Sequence, residues 1–308
     1  MTSKRIPMRR SGMVIQLAER DFQLLTLVGL CRYVSSVQVA RAFFAGSRTN
    51  GDRRLRKLYH ASLVDISMTG SQRPNIVSLS RQGLDLLKER SPELARRCSR
   101  LTSIPLTGIE HHLGIVDVRL AVAKRCQEDS GWSLSHWENG RGERYRQLGL
   151  SRYRLQPDAL FDLTCVDQEK VCALEVDLGT EPLSILADKL DGRYDLALAD
   201  GVIDELWLAV EGGAARVGNV KQLIERLGLA HKSKTVSLQE LRGNGSGGST
   251  RRRAGGEHGP TGPNATAHQP KQPQQYQPVR CANTDSATTA ANTTATTGIL
   301  TLDSWRRE

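Results

Sequence analysis

Three acidic side chains define the chemistry to look for in this 308-residue chain. Asp158 follows Pro157 in the run LQPDALFDL, and Glu175 and Asp177 stand two apart in VCALEVDLG. Both runs read as strands, and strand residues two apart project to the same side. If the two strands pair, Asp158 joins the other two carboxylates. Three carboxylates in one place repel unless protonation or a hard cation relieves them, and Mg2+ or Mn2+ has the oxygen preference such a group offers. Asp158 and Glu175 are the expected metal ligands, with Asp177 as a third carboxylate. Lys189, beside Leu186 and Leu190 in a helix beginning near Glu181, supplies a cation for a phosphate. If the chain cuts a phosphodiester, Asp158, Glu175, Asp177 and Lys189 are the expected catalytic set. Plainer readings stand beside this one. Asp158 and Asp177 also suit strand ends as turn or capping residues, Glu175 an exposed sheet face, and Lys189 a surface pair with Asp188 or Asp191. Glu138, Glu110 and His112 are weaker candidates for an accessory ligand, and His112 reads first as a packing or helix-cap histidine.

The elements that must hold these residues alternate along residues 108–242. A helix over Ile109 to Gln127 precedes a strand in WSLSHWEN. A loop rich in arginine follows (Arg141, Arg144, Arg146, Arg152, Arg154), then the two carboxylate-bearing strands, a helix, the strand ELWLAV, a helix and the strand KTVSL.

Residues 14–97 carry a different pattern, helix, helix, helix, hairpin, helix. Glu19 to Tyr33 places Phe22, Leu25, Leu27, Val28 and Leu30 on a helix, and Ser35 or Ser36 can cap the next, which ends at Ala45-Gly46. The third helix, RRLRKLYHASLV, is capped by Asn50 or Asp52. It has one apolar stripe through Leu55 and Leu58 and a second stripe of Arg53, Arg56, Lys57 and His60, at the spacing that lines up one helix side. Arg54 adds to its charge. Asp65 to Met68 and Ile76 to Ser80 flank the turn TGSQRPN with Arg73 near its tip, and Arg81 to Glu89 closes the module. This is the order of a winged helix-turn-helix. Its basic helix fits the major groove of double-stranded DNA and its hairpin arginine the minor groove, so Arg53, Arg54, Arg56, Lys57, His60 and Arg73 are the expected DNA-binding residues.

Charge distribution agrees. The net charge is +10, but residues 1–100 hold 19 Lys and Arg against 7 Asp and Glu, whereas residues 156–211 hold 3 against 14. The basic surplus lies where the helical stripe lies. The polar segment SRLTSIPLTG marks the junction of the two modules. From Gly243 the chain turns to Gly, Ser, Thr, Pro, Gln and Asn, a composition too poor in apolar surface to offset its ordering entropy, so residues 243–308 read as a disordered tail carrying Arg251-Arg252-Arg253. The six cysteines show no zinc spacing, and no apolar run is long enough for a membrane helix. A cytoplasmic chain without membrane contact is expected. No P-loop, GxSxG or dinucleotide fingerprint points to another enzyme class. No dimer helix is identifiable, and oligomeric state is left open.

The order strand, strand with PD, strand with ExD, helix, strand resembles the PD-(D/E)xK nuclease core, with one departure: Asp177 fills the lysine slot two residues after Glu175. The whole arrangement, a winged helix followed by PDA at Pro157 to Ala159, EVDLGTE at Glu175 to Glu181, then Lys189 and Tyr194, resembles the replication-relaxation family of plasmids and mobile elements over roughly residues 15–240. The resemblance implies an α/β (α+β) architecture of a winged helix plus a nuclease-like domain. It also implies DNA-linked work in replication, relaxation or mobilisation, with replication or mobilisation proteins as partners. A metal-dependent nicking endonuclease and a winged-helix transcription regulator are the two alternatives.

Overall fold

The computed structural model describes residues 14–68, 73–101, 105, 107–128 and 131–243. The described residues belong to one compact unit. The fold is mixed α/β with two sheets. The tail reading and most of the hairpin turn, residues 69–72, lie outside the described residues.

The amino-terminal half begins with α1 (Glu19–Cys31), whose buried stripe is Leu24, Leu25, Val28 and Cys31. The helix stops two residues earlier than the expected Tyr33 because Arg32 takes a left-handed backbone, φ 68°. The chain then enters a short strand, β1 (Tyr33–Ser35), that periodicity over three residues could not reveal. Ser35 ends it and caps α2 (Ser36–Phe43): its hydroxyl accepts from Gln38 N, while Gln38 Oε1 accepts from Ser35 N. Helix α3 (Arg48–His60) starts earlier than expected, because Ser47 rather than Asn50 or Asp52 is its cap. Strands β2 (Val64–Ser67) and β3 (Ile76–Leu79) form the hairpin, and β1 adds to β3, giving an antiparallel sheet of order β1-β3-β2. Helix α4 (Arg81–Arg90), capped by Ser80, and α5 (Pro92–Arg97) close the half. Leu55 and Leu58 of α3 join the core of α1 and the sheet, as their stripe requires.

Helix α6 (Ile109–Glu128) leads into the second half. There β4 (Ser133–Asn139), α7 (Glu143–Gln147), a 3-10 turn at Leu150–Tyr153, β5 (Ala159–Thr164) and β6 (Glu169–Asp177) come first. They are followed by α8 (Leu183–Lys189), a kinked turn at Leu190–Tyr194, α9 (Asp195–Ala199), β7 (Glu205–Val210), α10 (Gly213–Arg226), β8 (Ser233–Ser237) and α11 (Leu238–Leu241). The sheet order is β4-β5-β6-β7-β8, antiparallel through β6 and parallel from β6 to β8. One face packs Leu174, Val176 and Ala209 with Ile115, Val118 and Val122 of α6. The other packs Ala173, Leu206, Leu208 and Val210 with Leu186, Leu190, Tyr194 and Val220.

Helix α6 also serves the first half. Val116 sits in the amino-terminal core, and Ile109 and Leu113 pack with Tyr33 and Ile76. Asp117, 3% exposed, draws in Gln38 Nε2 at 2.8 Å, the Arg41 guanidinium, and Arg242 Nε at 2.7 Å. One buried carboxylate thus joins α2, α6 and the carboxyl-terminal end of the second half.

Candidate functional site

Pairing of β5 with β6 brings two of the three expected carboxylates together. Ala159 lies opposite Leu174, and Asp158 N donates to Leu174 O at 2.9 Å, so Asp158 sits at the mouth of the strand pair beside Glu175. Asp158 Oδ2 accepts from Val176 N at 2.7 Å and stands 3.0 Å from His111 Nε2 of α6. Glu175 points to the face that carries α8. Its Oε1 accepts from Tyr194 OH at 2.7 Å and its Oε2 from Lys189 Nζ at 3.1 Å. The cation expected at Lys189 is therefore in place on the carboxylate, reached from the helix rather than from the strand.

The kink after α8 explains how both donors reach one carboxylate. Residues five apart on a continuous α-helix point about 140° apart. Here the helix breaks at Asp191, with ψ 126°, and Gly192, with φ 76°, and the chain turns so that Lys189 and Tyr194 converge. The left-handed φ at Gly192 is where a glycine is needed.

The electrostatics follow from the enclosure. Burial pushes the Glu175 carboxyl up to about 7, the neighbouring Asp158 charge pushes the same way, and Lys189 with the Tyr194 hydroxyl opposes them. His111 is raised, first by its hydrogen bond to Asp158, against a lowering by burial. At Lys189 burial lowers the pKa, but Glu175 and Asp158 outweigh it and the net direction is up. Burial and Glu175 raise the Tyr194 phenol well above its ordinary value. The group is thus two hydrogen-bonded sets, Asp158 with His111 and Glu175 with Lys189 and Tyr194, coupled through the charges of the two carboxylates.

Asp177 is held elsewhere. It shares the face of Glu175, but Arg216 of α10 grips it at 2.8 and 3.1 Å, and Gly179 N donates to it at 2.9 Å. In this arrangement Asp177 anchors α10 to the end of β6. Both oxygens of Glu175 face proton donors, and among the described residues no three His, Cys, Asp or Glu side chains form a group that could hold a metal ion. As arranged, the side chains offer a hard cation no set of three open oxygen ligands.

The accessory candidates are accounted for locally. Glu138 accepts from Arg144 N and Tyr145 N, both at 3.1 Å, and caps α7. His112 packs tilted against Tyr33, with ring centroids 3.9 Å apart, and contacts Tyr33 O, so it is a packing histidine. Glu110 lies 3.5 Å from Arg73. His111 carried no sequence signal beyond lying next to His112, and Arg216 none, since its partner lies 39 residues away.

On α3 the basic residues divide. Arg53, Arg56 and Lys57 are exposed, as is Arg48 in the first turn, which the late helix start concealed. His60 is half-buried and meets Tyr59 edge to face. Arg54 turns inward, donating from Nε to the fully buried Asp21 at 2.7 Å and from Nη2 to Gln16 O at 2.9 Å. Asp21 also accepts from Ala18 N at the start of α1. Arg73 is exposed beside the hairpin.

A family model described as Replication-relaxation matches residues 25–205, more than half of the chain, from within α1 to the first residue of β7. No curated protein and no solved structure matches. Among the described residues no helix is long and apolar enough to cross a membrane.

Proposed function

The chain belongs to the replication-relaxation family, with the role in replication or relaxation of mobile elements which that membership carries, and on this premise we propose that it acts by binding double-stranded DNA. In this reading the amino-terminal half is a winged helix-turn-helix. Helix α3 lies in the major groove, the β2–β3 hairpin is the wing, and Arg73 reaches the neighbouring minor groove. The observation that carries it is the division of α3: Leu55 and Leu58 are buried and Arg54 is committed to Asp21, while Arg53, Arg56 and Lys57 remain exposed. Three fixed cations on one helix side suit phosphate oxygens and guanine edges. Arg48 extends the same basic end. The second half, a PD-(D/E)xK-like fold in this reading, serves to bind or to dock replication or mobilisation proteins rather than to cut, because Lys189 and Tyr194 occupy Glu175 and Arg216 occupies Asp177.

One observation favours a second reading, a magnesium-dependent nicking endonuclease. Asp158 and Glu175 meet beside a lysine and a histidine, and release of Lys189 would free Glu175 Oε2 for a cation next to Asp158. One experiment separates the two. Supercoiled plasmid is incubated with the protein, with and without Mg2+ or Mn2+, and retention and nicking are both followed across a salt series. Salt-sensitive retention without nicking is expected, weakened in Arg53→Gln/Arg56→Gln/Lys57→Gln. Metal-dependent nicking lost in Asp158→Ala and Glu175→Ala would establish the endonuclease, and retention unchanged in the triple variant would refute the role of α3.

A further inference from the structure

A recess lies on the α6 face of the larger sheet, at the end away from the carboxylates. It has a volume of about 250 Å³, and its lining includes Trp132, Trp207, Arg125, Lys170, Lys234 and Glu205. Lys170 lies at the start of β6 and Glu205 at the start of β7, whereas Glu175 and Asp177 lie towards the other end of β6. Glu205, Trp207 and Lys234 share one face because residues two apart on a strand do and because Trp207 pairs with Lys234 in the parallel ladder.

The chemistry of the lining is specific. Each indole carries an ammonium over its ring, Lys170 Nζ 5.2 Å from the centre of Trp132 and Lys234 Nζ 4.9 Å from that of Trp207. Phe161 packs edge-on against Trp207 and fixes its plane. Lys234 spends part of its charge on Glu205 Oε1, at 2.8 Å. Three cations against one carboxylate leave the recess positive. The Trp207 indole N–H and the second oxygen of Glu205 are shielded from solvent and have no hydrogen-bond partner, a costly state for a donor and an acceptor on one face.

Two indoles in the lining favour a planar ring, which takes the place that each ammonium now holds over its indole, and the surplus of cations favours an anion to receive the displaced ammonium groups. The volume falls below the ~300–1,000 Å³ of drug-sized sites, so the occupant is small, one nucleotide unit rather than a dinucleotide. We propose that this recess binds a single nucleotide, its base against the indoles of Trp132 and Trp207 and its phosphate between Arg125, Lys170 and Lys234. This site is separate from the α3 surface and stands independently of the DNA-binding reading. Its nucleotide comes either free from solution or from a single-stranded end.

Calorimetric titration of the full chain with each of the four deoxynucleoside monophosphates tests the proposal, with inorganic phosphate and deoxyguanosine as separate arms. Saturable binding of a monophosphate is expected, tighter than either fragment. Lys170→Gln and Trp207→Ala should each weaken it about tenfold, the loss of one charge or of one stacking ring. Arg53→Gln/Arg56→Gln/Lys57→Gln should bind the nucleotide unchanged. Because Lys170 is half-buried near the start of β6 and outside the apolar core, its variant keeps the test valid even if Trp207→Ala loosens the core. Absence of saturable binding with all four monophosphates, or equal binding by wild type and both recess variants, overturns it. Displacement of bound monophosphate by a 5′-phosphorylated single-stranded tetranucleotide assigns the source to a strand end, and failure to displace assigns it to the free nucleotide.

Discussion

Lys189 Nζ stands 3.1 Å from Glu175 Oε2, so an ammonium from the end of α8 faces the carboxylate of the central strand. The pair is unequal: Glu175 is enclosed while Lys189 keeps access to solvent, 4% against 40% side-chain exposure. Removing Lys189 therefore leaves a buried charge, whereas removing Glu175 leaves a lysine that water can serve. Lys189→Met is expected to push the Glu175 carboxyl above its value near 7 and to lower the melting temperature most at alkaline pH. Glu175→Gln should cost less. Thermal melts of both variants from pH 5 to pH 9 check the order.

The sign of the pH dependence follows from the same carboxylate. Its folded pKa, about 7, lies above the ordinary 4.5, so the stability it contributes is complete below pH 4.5 and is lost as pH rises to 7. The full effect of such a shift is roughly 3 kcal/mol. His111 is raised as well, mainly by Asp158, so its contribution is complete below its ordinary pKa of 6.5 and falls away as pH rises through its folded value. Wild type is expected to lose stability between pH 5 and pH 8, and Glu175→Gln to flatten that slope. An equal slope in the variant would place the titration elsewhere.

Adjacent arginines on α3 should behave oppositely. Arg54→Ala strands the buried Asp21 and should cost about 3–5 kcal/mol in chemical denaturation. Arg53→Ala and Arg56→Ala, at exposed positions, should stay within about 0.5 kcal/mol while lowering DNA affinity.

Asp117→Ala should leave Arg41, Gln38 and Arg242 without their common acceptor. A loss of about 1–3 kcal/mol is expected, because Arg41 and Arg242 keep access to water and Arg242 keeps Glu211. Protease cleavage within residues 98–107, between the halves, should accelerate, and unchanged cleavage would show that the apolar contacts of α6 suffice.

Gly83 tests the seating of α4. A Cβ there would lie 2.1 Å from Leu63 O, a backbone atom that cannot move aside. Gly83→Ala should destabilise by about 1–3 kcal/mol despite the better helix propensity of alanine, read by urea denaturation.

Much of this was legible beforehand. The apolar stripe Leu55 and Leu58 with its basic counterpart located α3, because helical periodicity is a local property. The runs around Asp158 and Glu175 located two neighbouring strands, and alternation put Glu175 and Asp177 on one face. What alternation cannot supply is the partner. Asp177 differs from Glu175 because Arg216 lies over one and Lys189 over the other, and Arg216 comes from a helix that begins after β7. Likewise, periodicity sets Arg53 in the basic stripe and Arg54 beside it, but the partner that commits Arg54, the buried Asp21 of α1, lies 33 residues away. Strand β1 was missed because three residues carry too little pattern, and Gly192 because a kink is set by the contacts it permits.

Helix α6 lends Val116, Ile109 and Leu113 to the first half and Ile115, Val118 and Val122 to the second. During synthesis on the ribosome, the amino-terminal helices therefore emerge before the side chains that finish their core. Until α6 has left the exit tunnel, the surface meant for Val116 is open to water and to other nascent chains, and the half that bears α3 matures only as the second half begins to appear.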